Sequence, residues 1–259
     1  MLTLKNVSSR LWDKPILKNI NWSTELTQNW AVLGPNGSGK TTLVKLILGH
    51  LPYRGAIKYD EEILNFTEIA HVSLEQQKIL VVREEKKDRY EEYSGNEEHL
   101  LTGLEYMDPE GKNLKAILMI AEKLGIKSIL GNPMRYYSNG ETRKTLIGKA
   151  LLSNPKLLIL DEPFEGLDFN SVNWLKHLIS SLIREGLTIL LISNRVEDLV
   201  PEITHVLCMK SGEVFAKGER GDVMTPAKME LLYENKKLEE EKKENILLTN
   251  EIQEINSLQ

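Results

Sequence analysis

The chain has 259 residues, of which 41% are hydrophobic and 27% charged, and its formal net charge is −5. This composition is ordinary for a globular protein and excludes a fibrous or wholly disordered chain. The acidic balance argues against nucleic acid as the main ligand, since phosphate contacts come from clustered Lys and Arg. There is no run of about 18 apolar residues and no signal-like opening segment. We therefore expect a cytoplasmic protein, or one held peripherally at the inner face of the cell membrane.

Apolar and polar residues alternate in the first part of the chain, over Leu2–Val7 and Ile16–Glu25, which predicts two strands. The short apolar run Trp30–Leu33 predicts a third strand that leads into a glycine-rich loop. Residues 41–49 then have helical spacing and end on Gly49, a favourable helix C-cap. Strand, loop and helix is the order that a phosphate-binding loop requires.

The middle of the chain changes character. From Glu75 to Gly111 the sequence is dense in charge and has little apolar periodicity, which predicts a solvated, mobile insertion. Helical spacing returns at Leu114–Ile126, which predicts an amphipathic helix.

Strand and helix patterns alternate in the second half. A strand is predicted at Leu157–Leu160, a helix at Ser171–Glu185 and a strand at Leu187–Ser193. This alternation predicts a mostly parallel sheet covered by helices. A hairpin over His205–Ala216 ends the core and contains the single cysteine, Cys208, which we expect to be buried and inert.

After Pro226 the sequence becomes rich in Glu and Lys, which predicts a polar helix up to Gln259. Its apolar residues share heptad positions, and polar residues interrupt the seam. Two interpretations stay open: a helix folded back on its own core, or a strap between two chains. The apolar heptad residues are Leu231, Leu238, Leu248, Ile252 and Ile255.

Residues 34–41 match the phosphate-binding pattern G-x-x-x-x-G-K-[ST] in full. Glycines let successive backbone N–H groups converge on phosphate oxygens, and the following helix presents its positive end to the same anion. We predict that Lys40 reaches the β- and γ-phosphates, that Thr41 ligates Mg²⁺, and that Thr42 helps to hold the α-phosphate. The predicted nucleotide-binding residues here are Gly34, Pro35, Asn36, Gly37, Ser38, Gly39, Lys40, Thr41 and Thr42.

Two carboxylates follow the apolar strand Leu157–Leu160. We predict that Asp161 holds the metal ion through water, as the strand-end acid of a phosphate-loop ATPase does. Glu162 is then free to act as the general base for the water that attacks the γ-phosphate. The two motifs together predict an ATPase whose cofactors are ATP and Mg²⁺.

The sequence LLILDEPFEGLD, together with the phosphate loop, resembles the ATP-binding cassette (ABC) ATPase family. The resemblance implies an α/β phosphate-loop NTPase fold of ABC type, with a mostly parallel sheet, an antiparallel β subdomain, a helical subdomain and here a C-terminal helix. We expect the ABC ATPase domain at 1–225, with the helical subdomain inserted at about 76–144, and the C-terminal polar helix at 226–259.

The family carries its signature sequence shortly before the second motif. Two cassettes of the family stack head to tail, so that the signature of one caps the ATP held by the other. A serine followed by a glutamate three residues later also predicts a helix capping box that needs no nucleotide, and that interpretation stays open. The residues at this position are Ser138, Asn139, Gly140 and Glu141.

Two more family loops can be assigned by position. Gly166, Leu167 and Asp168 resemble the D-loop, which lies across the dimer seam. In the glutamine loop an ungapped register places Leu74 where the family has its glutamine. We assign the role in catalysis and Mg²⁺ binding to Gln76, with Gln77 as the alternative.

Two further positions depart from the family pattern. Strict register places Leu11 at the adenine-stacking position, but stacking needs a ring face, so we assign it to Trp12. Asn194 stands where the family has a histidine that contacts the γ-phosphate, and we count it among the catalytic residues. An asparagine can donate a hydrogen bond there but cannot carry a positive charge.

SLEQQ, YYSNGETRKTL and Asn194 together are similar to the N-terminal cassette of the photorepair-protein branch, tandem-cassette proteins also described as molybdate-transport ATP-binding proteins. Only one cassette is present here, so the second must come from another chain, as a homodimer or a hetero-partner.

Three functions fit a lone cassette. It is the energy-coupling subunit of a transporter with a membrane permease as partner, a soluble mechanochemical ATPase acting on ribosome or nucleic-acid complexes, or an ATP-dependent clamp with slow turnover. The chain length favours transport. The charge-rich insertion, which lies where a permease would dock, argues the other way.

Overall fold

The computed structural model describes residues 2–25, 27–59, 68–94 and 100–234, without the side chains of residues 85 and 87–94. The strands are β1 (Leu2–Leu11), β2 (Lys14–Thr24), β3 (Trp30–Leu33), β4 (Arg54–Tyr59), β5 (Ile69–Ser73), β6 (Leu157–Asp161), β7 (Thr188–Ser193), β8 (His205–Lys210) and β9 (Glu213–Glu219). The helices are α1 (Lys40–Ile47), α2 (Leu74–Ser94), α3 (Gly103–Met107), α4 (Leu114–Leu124), α5 (Asn139–Leu152), α6 (Phe169–Arg184), α7 (Arg220–Val223) and α8 (226–234).

The smaller sheet is antiparallel and has the strand order β2-β1-β4. Buried residues alternate with exposed ones along β1, as expected of a sheet with one covered face. The turn between β1 and β2 contains Trp12, whose backbone φ is 55°. The predicted antiparallel β subdomain is therefore present.

The larger sheet has the strand order β5-β6-β7-β3-β8-β9. Strands β5, β6, β7, β3 and β8 run parallel to one another, and β9 is antiparallel to β8. Every residue of β3 and of β6 is buried, because helices and the smaller sheet cover both faces. The mostly parallel sheet predicted from the sequence is confirmed.

This strand order determines where the motifs meet. The phosphate loop follows β3, the two carboxylates follow β6, and Asn194 follows β7, which lies between β3 and β6. Since the carboxyl ends of neighbouring parallel strands share one edge of the sheet, all three segments converge there.

Two apolar clusters cover the two faces of the large sheet. One packs the sheet against the helices and includes Phe164 and Cys208. The other packs it against α1 and the smaller sheet, and there the rings of Trp22 and Trp30 meet edge to face at 5.4 Å. Burial raises the pKa of the Cys208 thiol to about 12, so this thiol stays protonated and inert, as expected.

The prediction for the charged middle segment was wrong where the structure describes it. Helix α2 covers Leu74–Ser94, and α3 covers Gly103–Met107, whereas residues 95–99 lie outside the described part. Gln77, Leu80 and Glu84 recur at helical spacing on α2 and are buried. Among the side chains described on α2, these three buried positions dock the helix, and the others are exposed or half-exposed.

The predicted C-terminal helix begins at 226 and is described as far as 234. Leu232 is fully buried in the helix-covered cluster, while Leu231 is 51% exposed. The first turns of this segment therefore pack on the chain's own core. The other heptad residues, Leu238, Leu248, Ile252 and Ile255, lie outside the described residues. Among the helices that are described, none is long and apolar enough to cross a membrane.

Candidate functional site

The glycine-rich loop follows a path that only glycine permits at two points. A Cβ on Gly34 would lie 2.2 Å from the backbone oxygen of Met209. Gly39, which precedes α1, has φ 100°, and a Cβ there would lie 2.6 Å from Leu17 Cδ2. The pattern of the loop thus reflects close packing against β8 and β2 as well as phosphate chemistry.

The Lys40 ammonium lies at the mouth of this loop. It donates hydrogen bonds to the backbone oxygens of Gly34 at 2.9 Å and Pro35 at 3.3 Å, and it lies 3.4 Å from Glu162 Oε1. The side chain is buried. The loop therefore holds a cation close to the carboxylate that was predicted to be the general base.

Thr41 and Asp161 lie side by side. Thr41 Oγ1 is 3.5 Å from Asp161 Oδ1. Burial raises the pKa of Asp161, and the Thr41 hydroxyl and the charges of Lys40 and Lys45 oppose the rise. A hydroxyl and a carboxylate are hard oxygen ligands of the kind that Mg²⁺ prefers.

One buried polar atom in the loop is suited to bind a ligand. Among the described residues, the buried Ser38 Oγ has no hydrogen-bond partner. A buried hydroxyl without a partner is unusual, and a phosphate oxygen would supply one. With the oxygen pair of Thr41 and Asp161, this makes the loop a fit for Mg-ATP.

Glu162 has an unusual backbone. Its φ is 51°, a left-handed value that a non-glycine residue seldom adopts, and its N–H donates to the Ile192 oxygen at 3.0 Å. Burial raises the pKa of its carboxyl group, while Lys40 and the backbone N–H of Asn194 oppose the rise. A raised pKa makes a carboxylate a stronger proton acceptor, which suits a general base.

Asn194 connects the two motifs. Its side-chain amide donates to Asn36 Oδ1 in the phosphate loop at 3.1 Å, and its backbone N–H opposes the rise in the pKa of the Glu162 carboxyl group. The structure therefore brings Asn194, the loop and both carboxylates together at one edge of the sheet.

At the start of α5, Ser138 and Glu141 form the capping box that was the alternative interpretation. Ser138 Oγ accepts from the Glu141 N–H at 3.2 Å, and Glu141 Oε2 accepts from the Ser138 N–H at 2.8 Å. A Cβ on Gly140 would lie 2.8 Å from Ser171 Oγ of α6, so this helix start packs closely against its neighbour.

The signature and D-loop segments touch each other. Asn139 Nδ2 donates to the Gly166 oxygen at 3.4 Å. Asp168 caps α6, and bonds from the Ser171 hydroxyl and N–H lower the pKa of its carboxyl group. Leu167 packs against the helix-covered core. These segments form one continuous surface outside the phosphate loop.

The two candidates for the glutamine-loop residue, Gln76 and Gln77, lie in different surroundings. Gln76 is exposed and caps α2, since its Oε1 accepts from the Ser73 N–H at 3.0 Å. The alternative, Gln77, is buried and bonds to Asn139 and Arg143. Glu75 forms an ion pair at 2.8 Å with Lys45 of α1. The predicted role of Gln76 stays a prediction.

Trp12 presents its ring to solvent. It is 92% exposed at the tip of the smaller sheet, and its neighbour Leu11 is 54% exposed. An exposed indole of this kind is available for stacking on a base. Its predicted contact with adenine stays a prediction.

Among the buried charged residues that the sequence reasoning missed, Arg143 lies beside the site. Arg143 on α5 is only 1% exposed and donates to Gln77 and to the Glu162 backbone. The signal was its spacing, since Leu146 and Ile147 at i+3 and i+4 are buried on the same helix face.

Comparisons with known proteins show the family of this chain. The family profile for ABC transporters matches residues 17–165. The chain is 35% identical over 197 residues to the ABC transporter ATP-binding protein ModF of Escherichia coli, covering 76% of this chain and only 39% of ModF. It is 30% identical over 245 residues to an ABC transporter ATP-binding protein of Streptococcus mutans, covering 91% of this chain and 92% of that protein.

Among solved structures, cbiO1 from Clostridium perfringens, part of the ABC transporter complex cbiONQ, has the same fold. The TM-score is 0.67 at 24% sequence identity, covering 88% of this chain and 92% of that one. The chain belongs to the ABC transporter ATP-binding family.

Proposed function

We propose that this chain is an ATP-hydrolysing cassette that works as a head-to-tail dimer and supplies energy to a membrane transporter. The observation that carries the proposal is the meeting of Lys40, Asp161 and Glu162 at one edge of the sheet, with Lys40 Nζ 3.4 Å from Glu162 Oε1.

Nucleotide binding is assigned to the loop and to the start of α1. Lys40 exchanges its bonds to the Gly34 and Pro35 oxygens for bonds to the β- and γ-phosphates, and Ser38 Oγ gains a phosphate partner. The N-terminus of α1 adds its positive end, and Trp12 stacks on the base.

The metal ion is assigned to Thr41 and Asp161, with Gln76 as the further ligand predicted from the sequence. Mg²⁺ bound there would neutralise charge that develops on the phosphates during transfer.

Glu162 is assigned the hydrolytic step. Its carboxylate orients a water molecule and accepts its proton as the water oxygen bonds to the γ-phosphorus. The bond from that phosphorus to the bridging oxygen breaks, which leaves ADP and phosphate. When Lys40 moves onto the phosphates, Glu162 loses a cationic neighbour, and its affinity for the proton rises.

The dimer accounts for the surface formed by the signature and D-loop segments. The capping box orders the start of α5, so that the helix presents its positive end to an anion on a facing cassette. Capping and signature roles are compatible, because the bonds between Ser138 and Glu141 fix the geometry that the second role needs.

Transport is favoured over the other two roles because of the relatives. Those that the chain matches over most of their length are described as ABC transporter ATP-binding proteins. We propose a cytoplasmic location at the inner face of the membrane, beside a permease. The division into 1–225 and 226–259 remains a prediction.

Slow turnover is a second candidate, and Asn194 favours it. An uncharged amide at the γ-phosphate position stabilises developing charge less well than an imidazolium does. A clamp that binds ATP and releases it slowly would have such a residue.

The test of ATP hydrolysis and pairing uses Glu162→Gln. The purified variant should bind ATP, release no phosphate and form an ATP-dependent dimer by light scattering, because the sandwiched nucleotide cannot be cleaved. The wild type should release phosphate. Unchanged turnover in Glu162→Gln would overturn the assignment of the base, and a monomer with and without ATP would overturn the homodimer.

The test of transport uses cell fractions. The tagged chain should sediment with membranes and co-purify with a multi-span membrane protein whose deletion releases it. Recovery with ribosomes instead would support the mechanochemical alternative and contradict transport.

A further inference from the structure

Arg143 is a buried cation that has no anionic partner in the part of the chain that the structure describes. Its side chain is 1% exposed, and among the described residues no carboxylate forms an ion pair with it. Burial lowers its pKa to about 10, so it stays charged at neutral pH. Burying an unpaired charge is costly, and a methionine of similar length would avoid that cost. We therefore expect the guanidinium to have a role beyond packing.

The Arg143 guanidinium donates hydrogen bonds to two different parts of the chain. Nε donates to Gln77 Oε1 at 2.6 Å, and Nη1 donates to the backbone oxygen of Glu162 at 3.2 Å. Within the described part of the chain Nη2 has no partner, so the guanidinium is held by just these two acceptors. The planar fork of an arginine offers a separate nitrogen to each acceptor in a fixed geometry, whereas a lysine would have to reach both from a single nitrogen.

The second acceptor belongs to a strained residue. Glu162 has a φ of 51°, and a left-handed backbone persists in a non-glycine residue only where its surroundings hold it. Its N–H is fixed by Ile192 on β7, and its oxygen receives Arg143 together with the Glu165 N–H at 3.3 Å. Arg143 reaches this backbone from helix α5, which is remote from Glu162 in the sequence.

The first acceptor, Gln77, is itself hydrogen-bonded to the signature segment. Gln77 Nε2 donates to the backbone oxygen and to Oδ1 of Asn139, at 3.3 and 3.2 Å. The Nδ2 of Asn139 in turn donates a hydrogen bond to the backbone oxygen of Gly166. Polar contacts thus run from the backbone of Glu162 through the buried side chains of Arg143 and Gln77 to the more exposed signature and D-loop segments.

We propose that Arg143 is a positioning residue for Glu162 and that, with Gln77, it couples Glu162 to the signature segment of the same chain. The inference rests on the proposed function. In a head-to-tail pair the signature of a chain faces the partner's nucleotide, while its Glu162 faces its own. The contacts through Arg143 and Gln77 therefore link the two ATP sites of the dimer.

The test separates catalysis from binding. Arg143→Met removes the fork and keeps the length, and Arg143→Lys keeps the charge. We expect kcat to fall about tenfold or more in Arg143→Met, because small misplacement of a catalytic group is costly, while ATP affinity stays within about twofold. Arg143→Lys should recover part of the loss. Lys149→Met is the control, a cation on the same helix that lies over the Tyr106 ring at 4.1 Å, and it should keep wild-type kcat.

Coupling is tested with Gln77→Met and the double variant. If Arg143 and Gln77 act as one unit, the double variant should lose no more kcat than Arg143→Met alone. The Hill coefficient for ATP, if it exceeds one in the wild type, should fall toward one in each variant. Additive losses of kcat would overturn the coupling.

Two other results would overturn the positioning role itself. One is wild-type kcat in a folded Arg143→Met. The other is a parallel loss of kcat, ATP affinity and melting temperature in Arg143→Met, Arg143→Lys and Gln77→Met, which would mark these residues as structural. A wild type without Glu162-dependent turnover would instead overturn the proposed function, and this inference with it.

Discussion

The side-chain amide of Asn194 donates a hydrogen bond to Asn36 Oδ1 over 3.1 Å, which joins the end of β7 to the phosphate loop. The backbone N–H of the same residue lowers the pKa of the Glu162 carboxyl group, against the larger effect of burial. A neutral amide thus lies beside the phosphate loop, where the sequence predicts a contact with the γ-phosphate. Because Asn194 lies between the phosphate loop and the predicted general base, a substitution of this residue should change the rate of ATP hydrolysis.

We predict slow basal ATP hydrolysis for the purified chain and faster hydrolysis for Asn194→His. A charge-assisted bond to the γ-phosphate is worth about 1.5–3 kcal/mol, or roughly ten- to a hundredfold in rate if it acts in the transition state. Steady-state phosphate release measures both proteins. Brisk wild-type turnover that does not change on substitution would contradict the idea that Asn194 limits the rate.

Lys40→Ala should abolish tight ATP binding. The substitution removes the buried cation that the loop holds against the Gly34 and Pro35 oxygens, and we expect affinity to fall about ten- to a hundredfold or more. A fluorescent ATP analogue measures the affinity. Lys18→Ala is the matched control, since Lys18 is exposed and pairs with Glu213 at 3.3 Å, and it should bind ATP as the wild type does. Equal affinity in Lys40→Ala would remove the loop from the site.

Stability should fall as the pH drops from 6.5 toward 4 because of His71. Burial, helped by nearby His50 and Lys45 and opposed by Glu75, lowers the pKa of its ring from 6.5 to about 4. Between these values the unfolded chain binds a proton that the folded chain does not, so protonation favours unfolding. Above 6.5 neither state is protonated, and stability is unaffected.

Allowing for solvent screening, His71 should contribute about 1 kcal/mol of this loss at pH 5. His71→Asn should therefore melt with a weaker pH dependence than the wild type between pH 7 and 5. Thermal unfolding of both proteins across this range measures the difference. Parallel curves would show that His71 titrates alike in the two states.

Leu232→Ala should destabilise the cassette, since Leu232 is fully buried where α8 meets the core. Large-to-small changes of this kind cost about 2–5 kcal/mol. Leu231→Ala is the control on the adjacent, half-exposed side chain and should stay within about 0.5 kcal/mol of the wild type. Denaturant unfolding measures both. Equal stability of the two variants would place α8 outside the folding unit.

The sequence by itself determined the parts that depend on local order. Strand β3, the glycine-rich loop and α1 are consecutive, so pattern and spacing were enough to predict them, and the same holds for β6 with Asp161 and Glu162. Apolar runs bounded by turns also gave the mostly parallel sheet. Each of these features is encoded in residues that are neighbours in the chain.

The tertiary structure decided which side of an element faces the site. Successive helical residues point about 100° apart, so whether Gln76 or Gln77 faces inward depends on where α2 begins and how it docks. Among the described side chains of α2 that docking involves three buried positions, too few to stand out in a charged sequence. The convergence of Arg143, Gln77 and Asn139 behind Glu162 joins residues as much as 85 positions apart. Only the packing of α2 and α5 against the sheet brings them together, because the energy that pairs them comes from burial and not from their neighbours in the chain.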